Sequence, residues 1–480
     1  MRPWHRSALT CAWVSCAAAA AAGPVPMEAN GLLSGQASVE ISRAAGASEI
    51  VSLGESIHLT NEMPSARLGI VRQLHEQKSF NVLVFEGATI DAWTAQENVY
   101  RSKDAPLERA RSFSQQALFG LWQTDAMVDV VRYALSTQGG EAPLYIASFD
   151  IQPGVARSLG GSSENSLKAF LATGDAVGAA ATLAQQSQWV TALGPALGCK
   201  KAFSKPEALV SLTTWIQGPL TTALSKTRPS VHLETLQLVP VMLERRLEQC
   251  RQVRAGASYQ DTRDVQNAAL VSAMHDRLGK LILWAHHSHI NHNSLGKAVP
   301  SMGQHLKRRF GEDLYTIGVF AAGGEAVDSL GLDNSGGPSI VLALAPRTVP
   351  ADGRFEVENR LAQLSAKDFF LDLRSAGAEW SEPSRSRLEV DGSMQTSLAR
   401  DFDGAILLHR VSGARMNFLP PAFQSLVDVV ASARRYPIVA LLVMLLLASG
   451  IILLARRVVG RFRRRKPLAP AARLTVAGQR

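Results

Sequence analysis

Four apolar runs in this chain end in the same way. Residues 51–54 (VSLG) lead into Glu55, with His58 three positions later. Residues 81–85 (NVLVF) lead into Glu86, and 144–149 (LYIASF) into Asp150. Residues 281–285 (LILWA) lead into His286, with His287, His289 and His292 close behind. Apolar runs of four to eight residues, parted by helix-length segments, are the pattern of buried parallel strands. In an open α/β sheet the ligand crevice lies beyond the carboxyl ends of such strands. The expected fold class is therefore α/β, a mostly parallel sheet flanked by helices. Glu55, His58, Glu86, Asp150, His286 and His289 are expected to meet at one edge of that sheet.

A chain of 480 residues can bury a large core. Its formal charge of +9 would suggest an anionic partner, but the charge is unevenly placed. Residues 456–480 hold eight Arg and one Lys with no Asp or Glu, so the rest of the chain sums to zero. The basic balance belongs to a tail and does not describe a nucleic-acid surface.

Both ends read as targeting segments. Arg2 and Arg6 precede an Ala-rich apolar stretch, so residues 1–22 are expected to be a signal peptide. Residues 438–455 are 18 positions without a charge, followed by the basic tail. Such a run approaches the length that spans a bilayer. The expectation is a C-terminal transmembrane helix at 436–456 and a cytoplasmic tail at 457–480 by the positive-inside bias. That gives a single-pass protein of the cell membrane with an exported domain at 31–419. Cys11 and Cys16 fall in the leader, which leaves Cys199 and Cys250 as the pair an oxidising compartment would permit to join.

Between the strands, residues 63–77 carry Leu68, Ile70, Val71 and Leu74 at the spacing of one buried helix face. Residues 166–278 show helical spacing and almost no strand pattern, so a large helical insertion is expected there, placed to cap a site. Strands are expected again at 314–320, 340–344, 368–373 and 404–408, with a helix at 302–309.

A carboxylate beside an imidazole can fix its tautomer and raise its basicity, so Glu55 and His58 suit a general base that takes a proton from water. Arg67 could hold a substrate carboxylate or an oxyanion. Glu86 could orient a ring or the water, and His286 and His289 could donate to the reacting carbonyl. Plainer roles compete with these. A loop histidine is commonly structural, a carboxylate after a strand often serves a helix N-terminus, as Glu62 could, and Asp150 could form a turn. There is no GxSxG elbow, P-loop or GxGxxG, which removes support for a serine α/β-hydrolase and for nucleotide binding. No cofactor is required by a general-base route. A divalent metal is the rival, because His286, His289 and His292, with His58 and Glu55, are suitable ligand types.

The order of these pieces resembles the erythromycin esterase family. Residues 54–62 (GESIHLTNE) are similar to that family's GE-x-x-HG-x-x-E opening. Phe85 and Glu86, Trp122, SFDI at 148–151, Arg263 and Asp264, WAHHSH at 284–289, SMGQHL at 301–306 and YTIG at 315–318 follow in the family's order. The resemblance implies hydrolysis of an ester or lactone by an activated water. His58 would be the base and Glu55 and Glu86 its carboxylate partners. Arg67, Glu62, Asp150 and Arg263 would contact the substrate, and His286 and His289 would line the carbonyl side. The substrate would be a small-molecule or lipid-like ester. This chain departs from the family at Leu59, where Gly is usual, and at His287, where Asn is usual. Asp125 and Asn267 stand where Glu and Met are common. Two alternatives follow: a metal-dependent hydrolase at the same site, or a non-catalytic envelope binding or assembly protein of the same fold.

Overall fold

The computed structural model describes residues 23–28, 35–152, 210, 213–221, 238–293, 300–332, 340–351 and 353–416. The chain divides into Met1–Phe418 and Leu419–Arg480, and the second unit lies outside the described residues. The strands are β1 (Val25–Pro26), β2 (Ile50–Glu55), β3 (Val82–Ala88), β4 (Tyr145–Asp150), β5 (Leu281–His286), β6 (Leu314–Ala321), β7 (Gly324–Leu332), β8 (Ile340–Val349), β9 (Phe369–Asp372), β10 (Ser384–Leu388), β11 (Gly392–Thr396) and β12 (Gly404–Leu408).

Eight of these form one sheet in the order β1-β9-β12-β6-β2-β5-β3-β4. The six strands from β12 to β4 are parallel, while β9 runs antiparallel to β12 and β1 antiparallel to β9. The fold is thus mixed α/β. β2 lies between β5 and β6 and is buried along its whole length. The chain moves outward from β2 to β3 and β4, then returns to place β5 between β2 and β3. It next crosses to β6 on the other side of β2, and a crevice opens where strand order reverses in this way.

Successive side chains of a strand point to opposite faces, and β5 shows how the two cores are filled. Ile282 and Trp284 join the layer containing Ile41, Ile70, Val71 and Val131, from helices Gly35–Ala45, Glu62–Lys78 and Asp125–Ser136. Leu281, Leu283 and Ala285 join the layer containing Leu243, Val271 and Leu306, from helices Val239–Arg254, Tyr259–Leu278 and Met302–Phe310. Gly54 is required by the second layer's edge. A Cβ there would stand 2.5 Å from the His287 ring and 2.6 Å from Ile290.

Several expectations need correction. β7 and the hairpin β10–β11 had no clear pattern in the sequence, and β8 pairs with β7 in a separate two-stranded ribbon instead of joining the main sheet. The fold class had included a transmembrane helix and the location a cell membrane. Among the described residues no helix is long and apolar enough to cross a membrane. The 20-residue helix Tyr259–Leu278 has the length but carries Asp261, Arg263, Asp264, Asp276 and Arg277, charges too costly for a bilayer interior. The described residues thus form a mixed α/β fold, and the single-pass membrane assignment has no support among them. Residues 1–22, 436–456 and 457–480, and most of the insertion before 238, lie outside the described residues. Cys250 is disulfide-bonded; Cys199 also lies outside them.

Candidate active site

Parallel pairing places Glu55, the last residue of β2, opposite His286, the last residue of β5. Glu86 lies near the end of β3, the next strand over. These three ends and the loop after β2 build the site.

The loop brings His58 back onto the strand end, where its Nδ1 lies 2.6 Å from Glu55 Oε1. The other Glu55 oxygen accepts from Arg67 Nη2. Arg67 comes from the first turns of helix Glu62–Lys78 and is fully buried. Its guanidinium lies 3.8 Å from the centre of the Trp284 ring and 5.3 Å from that of Trp122, a cation held in the corner of two edge-to-face aromatic rings. Burial draws Arg67 down to about 10, and the carboxylates of Glu55 and Glu86 oppose that fall. Its charge therefore persists at neutral pH and holds Glu55 in place.

The His58 ring packs edge-on to Trp122 at 4.8 Å and lies 4.6 Å from the His286 ring. Burial alone would lower this imidazole. The carboxylates of Glu389, Glu55 and Glu86 outweigh it and raise His58 to about 9. With Nδ1 committed to Glu55, Nε2 is the nitrogen that faces the crevice.

Glu389 was missed by the sequence reading. It sits in the turn after β10 with a φ of 62°, and its N–H donates to Ser56 O at 2.8 Å. One carboxylate oxygen accepts from the His58 N–H at 3.2 Å. The other lies 3.5 Å from His58 Nε2 and 3.3 Å from His286 Nε2. The side chain is 45% exposed, which makes it the solvent-facing member of the group. Partial burial would raise its carboxyl, but His58 and His286 hold it near 2.

His286 Nδ1 accepts from the Ser288 N–H at 3.3 Å and lies 2.9 Å from Ser288 Oγ. The backbone bond places the ring proton of neutral His286 on Nε2, pointing into the crevice. Its main-chain N–H donates to Glu86 Oε2 at 3.0 Å. Glu86 Oε1 in turn lies 3.3 Å from Arg263 Nη2 and 3.4 Å from His289 Nε2. Burial pushes the Glu86 carboxyl up; His289, Arg263, His58 and the His286 N–H overcome it and hold it near 2.

The remaining expected residues form a supporting layer. Arg263 binds Asp150 Oδ2 through Nη2 and through Nε at 3.0 Å. His289 Nδ1 meets Asp264 Oδ1 at 2.7 Å. Burial lowers His289, but Asp264 and Glu86 raise it above its ordinary value. Glu62 is not brought in: its carboxylate accepts from the Ser412 N–H and Oγ, each at 2.6 Å.

The proposed histidine metal set also separates. His287 is fully buried against Phe320 and Phe402 and accepts the Val319 N–H at Nε2, 3.0 Å. Burial and neighbouring His286 hold it far below its ordinary range, so it is a neutral core residue. His292 Nε2 lies 2.7 Å from Thr316 Oγ1. Of the five residues proposed as ligands, only His58 and His286 turn a free ring nitrogen toward one point, and Glu389 joins them. Asp264 was visible only as the neighbour of Arg263. For Glu389 the sequence offered no more than the turn signal of Asp391 and Gly392.

A mostly parallel α/β sheet with imidazoles and carboxylates gathered past its strand ends defines an α/β protein equipped for acid–base chemistry. The chain belongs to the erythromycin esterase family, whose sequence profile matches residues 75–411. Glu55, His58 and Arg67 precede that match, so their placement rests on the geometry above. A Bacillus subtilis (strain 168) protein, YbfO, which bears a provisional hydrolase name, is 24% identical over 394 residues, covering 76% of this chain and 84% of YbfO. Three solved structures share the fold. A Bacillus cereus protein has a TM-score of 0.62 at 18% identity, covering 82% of this chain and 96% of its own. A succinoglycan biosynthesis protein has a TM-score of 0.59 at 15% identity with the same coverage. A histidine-to-asparagine mutant of the erythromycin esterase EreC, in its open conformation, has a TM-score of 0.53 at 20% identity, covering 79% of this chain and 95% of its own.

Proposed function

We propose that this hydrolase cleaves a small-molecule ester or lactone with a water activated by His58. The observation that carries the proposal is the chain Arg67–Glu55–His58, in which the 2.6 Å contact at Nδ1 leaves Nε2 to face the crevice. Neutral His58 takes a proton from water through Nε2 while the oxygen attacks the acyl carbon. The His286 Nε2–H donates to the oxyanion that forms. Collapse of the intermediate expels the alkoxide, which takes the proton from His58. Glu86 supports the step by fixing the His286 backbone. Glu389, Glu55 and Glu86 favour the charged His58 ring, so the neutral base is the form that grows as pH rises toward about 9.

The test is hydrolysis of a panel of esters and lactones, macrolides included, by chelator-treated protein and by His58→Ala. Turnover of at least one substrate, reduced by about 10²–10⁴-fold in the variant, is the expected result for a lost general base. Undiminished turnover in His58→Ala would remove His58 from the base role.

A further inference from the structure

We infer that His58, His286 and Glu389 form a binding site for one zinc-class divalent ion, and that occupation of this site silences the base. The silencing rests on the hydrolytic reading of His58; the site itself rests on geometry.

The atoms concerned are His58 Nε2, His286 Nε2 and a Glu389 carboxylate oxygen, all within 4.8 Å of one another. The oxygen is 3.5 Å from the first nitrogen and 3.3 Å from the second. A tetrahedral ion with nitrogen and oxygen ligands at about 2.0–2.1 Å requires ligand-to-ligand edges of about 3.3–3.4 Å. Two edges of such a tetrahedron are therefore already in place. Two imidazoles and one carboxylate are also a donor set suited to zinc.

The surroundings orient these ligands. Glu55 at 2.6 Å from His58 Nδ1 gives the carboxylate–histidine pairing that directs the opposite nitrogen toward a metal. Ser288 Oγ, 2.9 Å from His286 Nδ1, can accept a hydrogen bond from an Nδ1–H, in exchange for the bond Nδ1 accepts from the Ser288 N–H. Metal binding would therefore shift the His286 tautomer, moving its proton from Nε2 to Nδ1. Two main-chain contacts hold Glu389 against the His58 loop, one to Ser56 O and one from the His58 N–H. Its exposed side leaves a fourth position for water. The ion takes the same Nε2 lone pair that His58 needs for proton abstraction, so a loaded site cannot use His58 as the base.

The experiment is a calorimetric titration of chelator-stripped full-length protein with zinc chloride, beside Glu389→Gln. The amide keeps the shape of the side chain but is a poor zinc ligand. The expected result is one zinc per chain, bound at least tenfold more weakly by the variant. Absorption of the cobalt(II)-substituted protein should show four-coordinate geometry, lost in the variant. No zinc binding by folded wild-type protein, or equal binding by both proteins, would overturn the site. On any ester that the stripped protein cleaves, one equivalent of zinc should lower turnover; a rise would overturn the silencing. Failure to cleave any ester would count against the hydrolytic reading and with it the silencing, while the titration still decides the site.

Discussion

Leu59 stands at a φ of 58°, a left-handed conformation that suits glycine, the residue usual here in the family. Two backbone bonds fix the turn, because Leu59 O accepts from the Ala414 N–H at 2.9 Å and the Val327 N–H at 3.3 Å. The conformation costs a non-glycine residue about 1–2 kcal/mol. Its side chain is 4% exposed, and removing a buried leucine side chain costs about 2–5 kcal/mol. The second term is larger, so the turn strain is outweighed by packing. Leu59→Gly should therefore destabilise the protein by roughly 1–3 kcal/mol in urea denaturation despite restoring the family residue. A gain in stability would show that the strain dominates. Glu389 shares this feature, so left-handed residues sit on both the loop and the hairpin that meet at His58. Such outliers cluster where surrounding structure over-determines a site.

The hairpin β10–β11 has no main sheet to lean on, and Arg387 fixes its turn. Nη1 donates to Val390 O at 2.7 Å, Nη2 to Pro350 O at 2.6 Å, and the guanidinium lies 3.7 Å from the Phe355 ring. Arg387→Ala removes both donors and exposes the turn. Exchange of the Glu389 amide should accelerate by at least tenfold, because its bond to Ser56 O is what the turn protects. Unchanged exchange would mean that the strand ladder alone positions Glu389. This element also marks the limit of the sequence. The ends of β2, β3, β4 and β5 were legible because buried parallel strands are continuous apolar runs that stop at a polar residue. SRSRL and GSMQT have no such pattern, and Glu389 lies 331 positions from the His58 it touches. The His-x-x-His-x-x-His spacing carries no direction of its own, for a related reason. His286 ends a strand and His289 lies in the short helix His287–Ile290, so equal spacing does not give one direction.

The whole molecule bears the cost of grouping these charges past the sheet. One consequence is acid sensitivity. Burial, with Lys307 nearby, holds His292 at about 3; its ring meets Thr316 and lies 3.7 Å from Asp403. The unfolded chain binds a proton at this residue near pH 6.5, whereas the folded chain resists it until about pH 3. Stability from this group is complete above pH 6.5 and falls across that window, by about 1.4 kcal/mol per pH unit at most. Urea denaturation at pH 7.5 and 5.0 should show a smaller loss in His292→Gln than in wild type; equal losses would assign the sensitivity elsewhere. The deeper consequence lies in the supporting layer. Asp150 is fully buried and its charge is met by Arg263, which also reaches Glu86. Breaking a buried pair from one side costs about 3–5 kcal/mol, because the remaining charge stays uncompensated. Arg263→Leu should lose about that much stability, and adding Asp150→Asn should recover part of it, with a coupling of about 0.5–3 kcal/mol. Additive losses in that double-mutant cycle would mean that the two groups do not stabilise one another. A positive coupling would assign to Arg263 the work of pairing with the carboxylates behind the crevice, where Glu86 fixes the backbone of His286.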